Sequence, residues 1–267
     1  MYADRSETAV KKIGRWVVEW ALRRRGYVKR DGAVLFSMRN YSRSTSMRIR
    51  RFFNKEPETL RWMDSFAPVS LMLDIGANVG SFSLYAASRG HRVLALEPDA
   101  LNFALLNLNI SDNAMNDRIT AYPFAIHNQS MIAELNMAEL NWGGAHKSFD
   151  RQFDWKGERM NVRFRQGSAG ISVDDFTAQT RTQPDYIKID VDGNELCVLQ
   201  GAGRTLSAPA LKGVLVELSE GHEEYASCMK ILQDAGLVLV ERAPTAKRTA
   251  ASCEMSSENH VFARSAR

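Results

Sequence analysis

Leu71-Met72-Leu73-Asp74-Ile75-Gly76-Ala77-Asn78-Val79-Gly80, running on into Ser81–Ser88, decides the fold. A short apolar run suited to a buried strand enters a glycine turn, and a helical stretch follows. Gly76 and Gly80 let the backbone approach a ligand closely. The helix start behind them offers unpaired N–H groups to a carboxylate. Asp74, at the strand's end, is placed to accept from an ammonium group. Val93-Leu94-Ala95-Leu96 forms the next strand, and Glu97 ends it 21 residues after Gly76. An acidic side chain about 20 residues beyond such a turn can accept from both ribose hydroxyls. The expected lining of this nucleoside pocket is Asp74, Gly76, Ala77, Asn78, Gly80, Ser81, Glu97, Pro98 and Asp99.

A dinucleotide fold would normally carry G-x-G-x-x-G. Here Asn78 stands at the second glycine, which leaves the turn poorly suited to a pyrophosphate. The competing structural explanation gives Gly76 and Gly80 only a role in tight strand–helix packing. Asp74 and Glu97 together favour the pocket.

Outward from this block, apolar strands alternate with helical stretches, the pattern of a parallel α/β sheet. Strands are predicted at Ser70–Leu73, Arg92–Leu96, Ile119–Pro123, Asp185–Asp190 and Gly213–Leu218. Leu237–Glu241 and His260–Ala263 follow as a closing antiparallel pair. Between Asn136 and Gly170 lies a long stretch with Trp142, Gly143, Gly144, Trp155 and Gly157. It is read as a substrate-facing insertion, because long loops in compact domains are usually functional.

At 267 residues, with 45% hydrophobic and 25% charged residues, the chain suits one globular domain with an appendage. No apolar run reaches the ~18 to 20 residues of a membrane span. The opening MYADRSETAVKK has no signal-peptide core. Cys197, Cys228 and Cys253 form no CxxC pair, and a reducing, cytoplasmic setting is expected. Residues 1–61 hold 16 Lys and Arg against 6 Asp and Glu, so a basic front precedes a mildly acidic body. A helix is predicted from Ser6 to Arg30, with Ile13, Trp16, Val17 and Trp20 on one face and Arg15, Arg23, Arg24 and Arg25 mainly off it. Such a stripe either packs on the body or rests peripherally on a membrane. Asp31 to Lys55 is weakly specified and begins with a hairpin at most, and Glu56 to Phe66 reads as a helix. The domain plan is a basic helical extension over 1–55 and a main domain over 56–267.

Pro184-Asp185-Tyr186-Ile187-Lys188-Ile189-Asp190-Val191-Asp192-Gly193-Asn194-Glu195 is the other distinctive run. It resembles the K-x-D-V-E-G-x-E signature of the FkbM family of methyltransferases, with Asp192 in place of the usual glutamate. The Leu73–Gly80 block is similar to that family's glycine motif. Glu97-Pro98-Asp99 with Asn102-Phe103 and Leu106–Asn109 is similar to its second block, and Ser172–Phe176 and Val216-Glu217-Leu218 complete the order. The resemblance spans roughly residues 56–263, omits the basic front, and touches the insertion only through Asn141-Trp142-Gly143-Gly144. It implies a Rossmann-like class I methyltransferase fold, α/β, with a seven-stranded, mostly parallel sheet and an antiparallel closing strand. It also implies S-adenosylmethionine as cofactor and a hydroxyl of a sugar, glycan or small metabolite as methyl acceptor.

Lys188, Asp190 and Asp192 alternate along the strand ending, so all three can point to one side. Asp190 is a candidate general base, with Lys188 fixing its charge. Alternatively Asp190, Asp192 and Glu217 bind a divalent cation, which favours oxygen ligands. The structural alternative makes Lys188 and Glu195 ion-pair partners and Asp192-Gly193 a turn. Glu195 and His222 are further catalytic candidates, and Cys197 is expected in the core. An RNA methyltransferase is a rival reading from the basic front, but no Asn-Pro-Pro-Tyr type motif sits at the fourth strand. A membrane-associated scaffold without catalysis is the third, disfavoured by the intact acidic and glycine positions.

Overall fold

The computed structural model describes residues 24–154, 156–244 and 257–264. In chain order, the hairpin β1 (Arg25–Arg30) and β2 (Ala33–Arg39) leads into helices α1 (Arg43–Arg50), α2 (Phe52–Lys55) and α3 (Pro57–Asp64). Then come β3 (Leu71–Ile75), α4 (Ser81–Ser88), β4 (Arg92–Leu96), α5 (Ala100–Asp112) and β5 (Ile119–Tyr122). Four strands follow: β6 (Phe124–Ile126), β7 (Met131–Met137), β8 (Lys147–Phe149) and β9 (Phe164–Ile171). The chain continues through α6 (Val173–Thr180), β10 (Tyr186–Ile189), α7 (Glu195–Gln200), α8 (Gly203–Ser207) and β11 (Gly213–Ser219). It closes with α9 (Tyr225–Asp234), β12 (Leu237–Pro244) and β13 (Ser257–Arg264).

The main sheet has seven strands in the order β12-β13-β11-β10-β3-β4-β5. β13 runs antiparallel to both β11 and β12, and the pairs from β11 to β5 are parallel. Alternate side chains of each central strand enter two cores, as a sheet covered on both faces requires. Met72, Val93 and Ala95 pack with Leu84, Leu105 and Leu106 on one side. Leu73, Ile75, Leu94 and Leu96 pack with Phe176, Val198 and Leu232 on the other.

Two expectations change. The helix predicted over Ser6 to Arg30 is not found over its last six residues, because Arg25–Arg30 is a strand paired with β2. Asp31 and Gly32 both take positive φ in the two-residue turn between them, the conformation such hairpins need. The Ile13, Trp16, Val17 and Trp20 stripe lies outside the described residues, as do Trp155 and Cys253. The insertion is built rather than loose: β7, β8 and β9 join β6 in a second sheet ordered β6-β9-β7-β8. No helix among the described residues is long and apolar enough to cross a membrane.

Candidate active site

The carboxyl ends of β3, β4, β10 and β11 open onto one cavity of about 1740 Å³. Ligands bind at this edge of open α/β sheets. The volume exceeds the roughly 300–1,000 Å³ of a single small-molecule site.

At one end the turn after β3 is fastened to β4, with Gly76 and Ala77 N–H groups both donating to the Leu96 carbonyl at 3.0 Å. Gly76 has φ +79°, and a Cβ there would meet the Asp190 carbonyl oxygen at 1.8 Å. Its role is therefore packing as well as approach, since it lets the ends of β3 and β10 touch. Asn78 also adopts a left-handed conformation, φ +53°, which Asn tolerates better than most residues. Its N–H donates to Glu97 Oε2 at 2.8 Å, and the Asp99 N–H donates to Oε1 at 3.0 Å. Glu97 is thus buried and clamped from both sides. Burial pushes its pKa up, against the pull of the Lys147 ammonium.

Of the residues expected around a nucleoside, Gly76, Ala77, Asn78, Ser81, Glu97 and Pro98 line the cavity. Asp74, Gly80 and Asp99 lie behind the lining. Asp74 is 1% exposed and faces α4, where the Ser83 hydroxyl donates to it at 2.5 Å. Its Oδ1 has no hydrogen-bond partner, and burial raises its pKa although Lys188 and Ser83 oppose the shift. Gly80 begins α4 with φ +86° and abuts Leu106. Asp99 caps α5 by accepting from Leu101 and Asn102 N–H groups, while its other oxygen pairs with Lys147 Nζ at 2.5 Å.

A roof closes this end. The Asn78 and Asn102 side-chain amides donate to the Gly144 carbonyl at 2.8 and 3.2 Å, and Gly143 N–H donates to Asn102 Oδ1 at 2.8 Å. From the other side, Ser42 Oγ donates to the Trp142 carbonyl and Arg48 Nε to that of Gly143. The insertion and α1 therefore meet above the glycine turn.

At the other end Lys188 Nζ lies 3.0 Å from Asp190 Oδ2 and 5.0 Å from the Phe82 ring centroid. Lys188 is 1% exposed and pairs in register with Asp74 across the β3–β10 ladder. Burial lowers its pKa, but Asp190, Asp74 and Glu56 more than reverse this, so the ammonium stays charged. Burial likewise pushes Asp190 up, and Lys188, Lys55 and Arg48 outweigh it, holding the carboxyl at about 2. Among the described residues Glu195 makes no ion pair with a cation. Burial raises it to about 7, although the Gly193 N–H donates to its Oε1 at 3.1 Å. All four catalytic candidates, Lys188, Asp190, Glu195 and His222, face the cavity.

The alternation expected for Asp192 stops, because β10 ends at Ile189. Asp192 takes φ +54° and accepts from the His146 N–H at 2.8 Å. Glu217 accepts from Ser257 Oγ, and burial with Asp190 and Glu56 nearby raises its pKa well above its ordinary value. Asp190, Asp192 and Glu217 share the lining, yet no three His, Cys, Asp or Glu among the described residues are grouped to hold a metal ion. Cys197 is buried, as expected. Asn102 was marked only through the second block of the family resemblance, and Lys147 and the Arg48, Arg51 and Lys55 wall had no distinguishing mark in the sequence.

Comparison with protein families matches residues 74–239 to the methyltransferase FkbM domain. No curated protein matches the chain. Among solved structures, magnesium protoporphyrin IX methyltransferase from Synechocystis PCC 6803, with bound SAM, is similar at TM-score 0.50 and 15% identity, covering 85% of this chain and 86% of that one. Methyltransferase FkbM from Methylobacillus flagellatus KT matches at TM-score 0.46 and 16% identity, covering 93% of this chain and 60% of that one.

Proposed function

The chain belongs to the methyltransferase FkbM domain family, and on that premise we propose that it is an S-adenosylmethionine-dependent O-methyltransferase acting on a hydroxyl of a sugar, glycan or small metabolite. The observation that carries this reading is the joining of the Gly76–Asn78 turn, Glu97 and the Asp190–Glu195 carboxylates in one cavity.

The residues suit the cofactor. A carboxylate has about four lone-pair positions, and backbone N–H groups occupy one on each Glu97 oxygen. What remains matches the two hydroxyl donors of a ribose. Gly76, Ala77 and Ser81 supply backbone and a small side chain where a nucleoside must lie close. S-adenosylmethionine, when bound, supplies a methyl carbon on a positive sulfur, so an acceptor oxygen gains the C–O bond as the C–S bond breaks and its electron pair stays on sulfur.

The chain's own work is alignment and disposal of the hydroxyl proton. Asp190, kept anionic by Lys188, accepts a hydrogen bond and orients the acceptor. A carboxylate at about 2 is a weak base, and catalysis favours a base titrating near the working pH. Glu195, at about 7, takes the proton from the acceptor oxygen. Isothermal titration tests the cofactor half: S-adenosylhomocysteine should bind, and Glu97→Ala should weaken it by about tenfold or more, since hydrogen bonds to a charged group contribute about 1.5–3 kcal/mol. No binding by the wild type ends the proposal. Asp190→Asn and Glu195→Gln should keep that binding and lose turnover in a labelled methyl-transfer screen of glycans and metabolites.

A further inference from the structure

Ser44 and Arg48 on α1, Arg51 at the junction and Lys55 at the end of α2 recur at helical spacing, and all four line the cavity that holds Asp190. Their backbone turns toward the site because Ser42 and Thr45 cap α1 reciprocally and Arg48 is tied to the Gly143 carbonyl. The tie uses only Nε, leaving the rest of the Arg48 fork available. Among the described residues Arg51 has no acidic partner. Lys55 pairs with Glu56 at 2.6 Å, with 55% of the lysine side chain still open. Three cations against the Glu56 carboxylate leave a surplus of two positive charges on this wall. Arg48 and Lys55 both act on the Asp190 carboxyl, so the wall stands within electrostatic reach of the proposed acceptor hydroxyl.

We propose that this wall is a phosphoryl-binding subsite, and that the acceptor carries a phosphate or diphosphate group which Arg48, Arg51 and Lys55 hold while its hydroxyl lies against Asp190. The inference rests on the methyl-transfer reading above, from which it takes Asp190 as the place of the hydroxyl. Two planar guanidinium forks suit phosphate oxygens bidentately. A phosphate monoester carries about −1.5 to −2 charges at neutral pH, which matches the surplus, whereas a sugar carboxylate carries one. Neutral metabolites would leave these cations unused.

The full chain, saturated with S-adenosylhomocysteine so that the cofactor end is filled, is titrated calorimetrically with pyrophosphate and separately with glucuronate, at low and high salt. Pyrophosphate is expected to bind more tightly than glucuronate and to weaken as salt rises. Arg51→Ala and Lys55→Gln should each reduce pyrophosphate affinity by about tenfold, the share of one charge-assisted contact. Arg50→Ala, off the cavity lining, should change nothing. S-adenosylhomocysteine affinity should be the same in every variant, which shows that the fold and cofactor end are intact. Pyrophosphate binding that is absent, equalled by glucuronate, or unchanged in both variants overturns the subsite. A parallel loss of S-adenosylhomocysteine affinity in Arg51→Ala also overturns it, because the cations then serve the cofactor. A wild type that fails to bind S-adenosylhomocysteine sinks the methyl-transfer reading instead, and is seen before any pyrophosphate is added.

Discussion

Lys188 is an ammonium with 1% exposure, sustained by Asp190 at 3.0 Å and by Asp74 beside it in register. Taking one member from a buried charge cluster strands its partners, at a cost of about 3–5 kcal/mol. Lys188→Met should lose about that much in urea denaturation; a loss below 1 kcal/mol would show that the carboxyls simply protonate. Glu195 supplies a second test at this scale. Its folded pKa, about 7, lies above the ordinary 4.5, so folding favours the protonated form. Stability from this group is full below pH 4.5 and lost as pH rises through 7. Glu195→Gln should therefore match the wild type at pH 4.5 and exceed it at pH 8.5, by on the order of 1–2 kcal/mol after discounting for partial exposure. In the wild type, turnover should rise with pH through about 7 and then level off. A flat profile from pH 5.5 to 8.5 would remove Glu195 as the base.

Among the elements, the Asn141–Gly144 stretch is held from three places at once: Asn78 in the glycine turn, Asn102 on α5 and Arg48 on α1. Asn78 thereby does what a glycine cannot. It takes the left-handed turn and also fastens the roof of the pocket. Asn78→Gly keeps the turn without strain but releases the Gly144 carbonyl. Cleavage in the 139–146 segment under limited proteolysis should quicken, and S-adenosylhomocysteine should dissociate several-fold faster. Equal cleavage rates would mean that Asn102, Arg48 and Ser42 secure the roof without Asn78. Asn78 was legible as a departure from G-x-G-x-x-G, but its partner 66 residues away was not, because a side-chain amide's acceptor is chosen by tertiary contact.

For the whole molecule, the basic front is part of the body through its described portion. Val28, Phe36 and Met38 are buried in the same core as α4 and α5, and Phe36 meets Phe52 edge-on at 5.4 Å. Phe36→Ala should cost about 3–5 kcal/mol and lower the melting temperature of a single cooperative transition. A separate early transition would instead make residues 25–55 an independent appendage. Asp31-Gly32 is a strong hairpin signal, and it was masked by the helical spacing read up to Arg30, because apolar periodicity near an element's end fits either period.

The order of apolar runs and motifs from Ser70 to Ala263 determined by itself the parallel sheet with its closing antiparallel pair, the glycine turn and the carboxyl-end site. Buried strands must be apolar, and the turn's glycines have no substitutes, so both leave marks in local sequence. The tertiary structure alone decided which acids face the cavity. Asp74 and Asp99 turned to Ser83 and Lys147, and among the described residues Glu195 was left without an ion-pair partner. It also decided that α1 and α2 wall the site with Arg48, Arg51 and Lys55. A carboxyl's proton affinity and a helix's inward face depend on neighbours brought from far along the chain, and no local pattern records them.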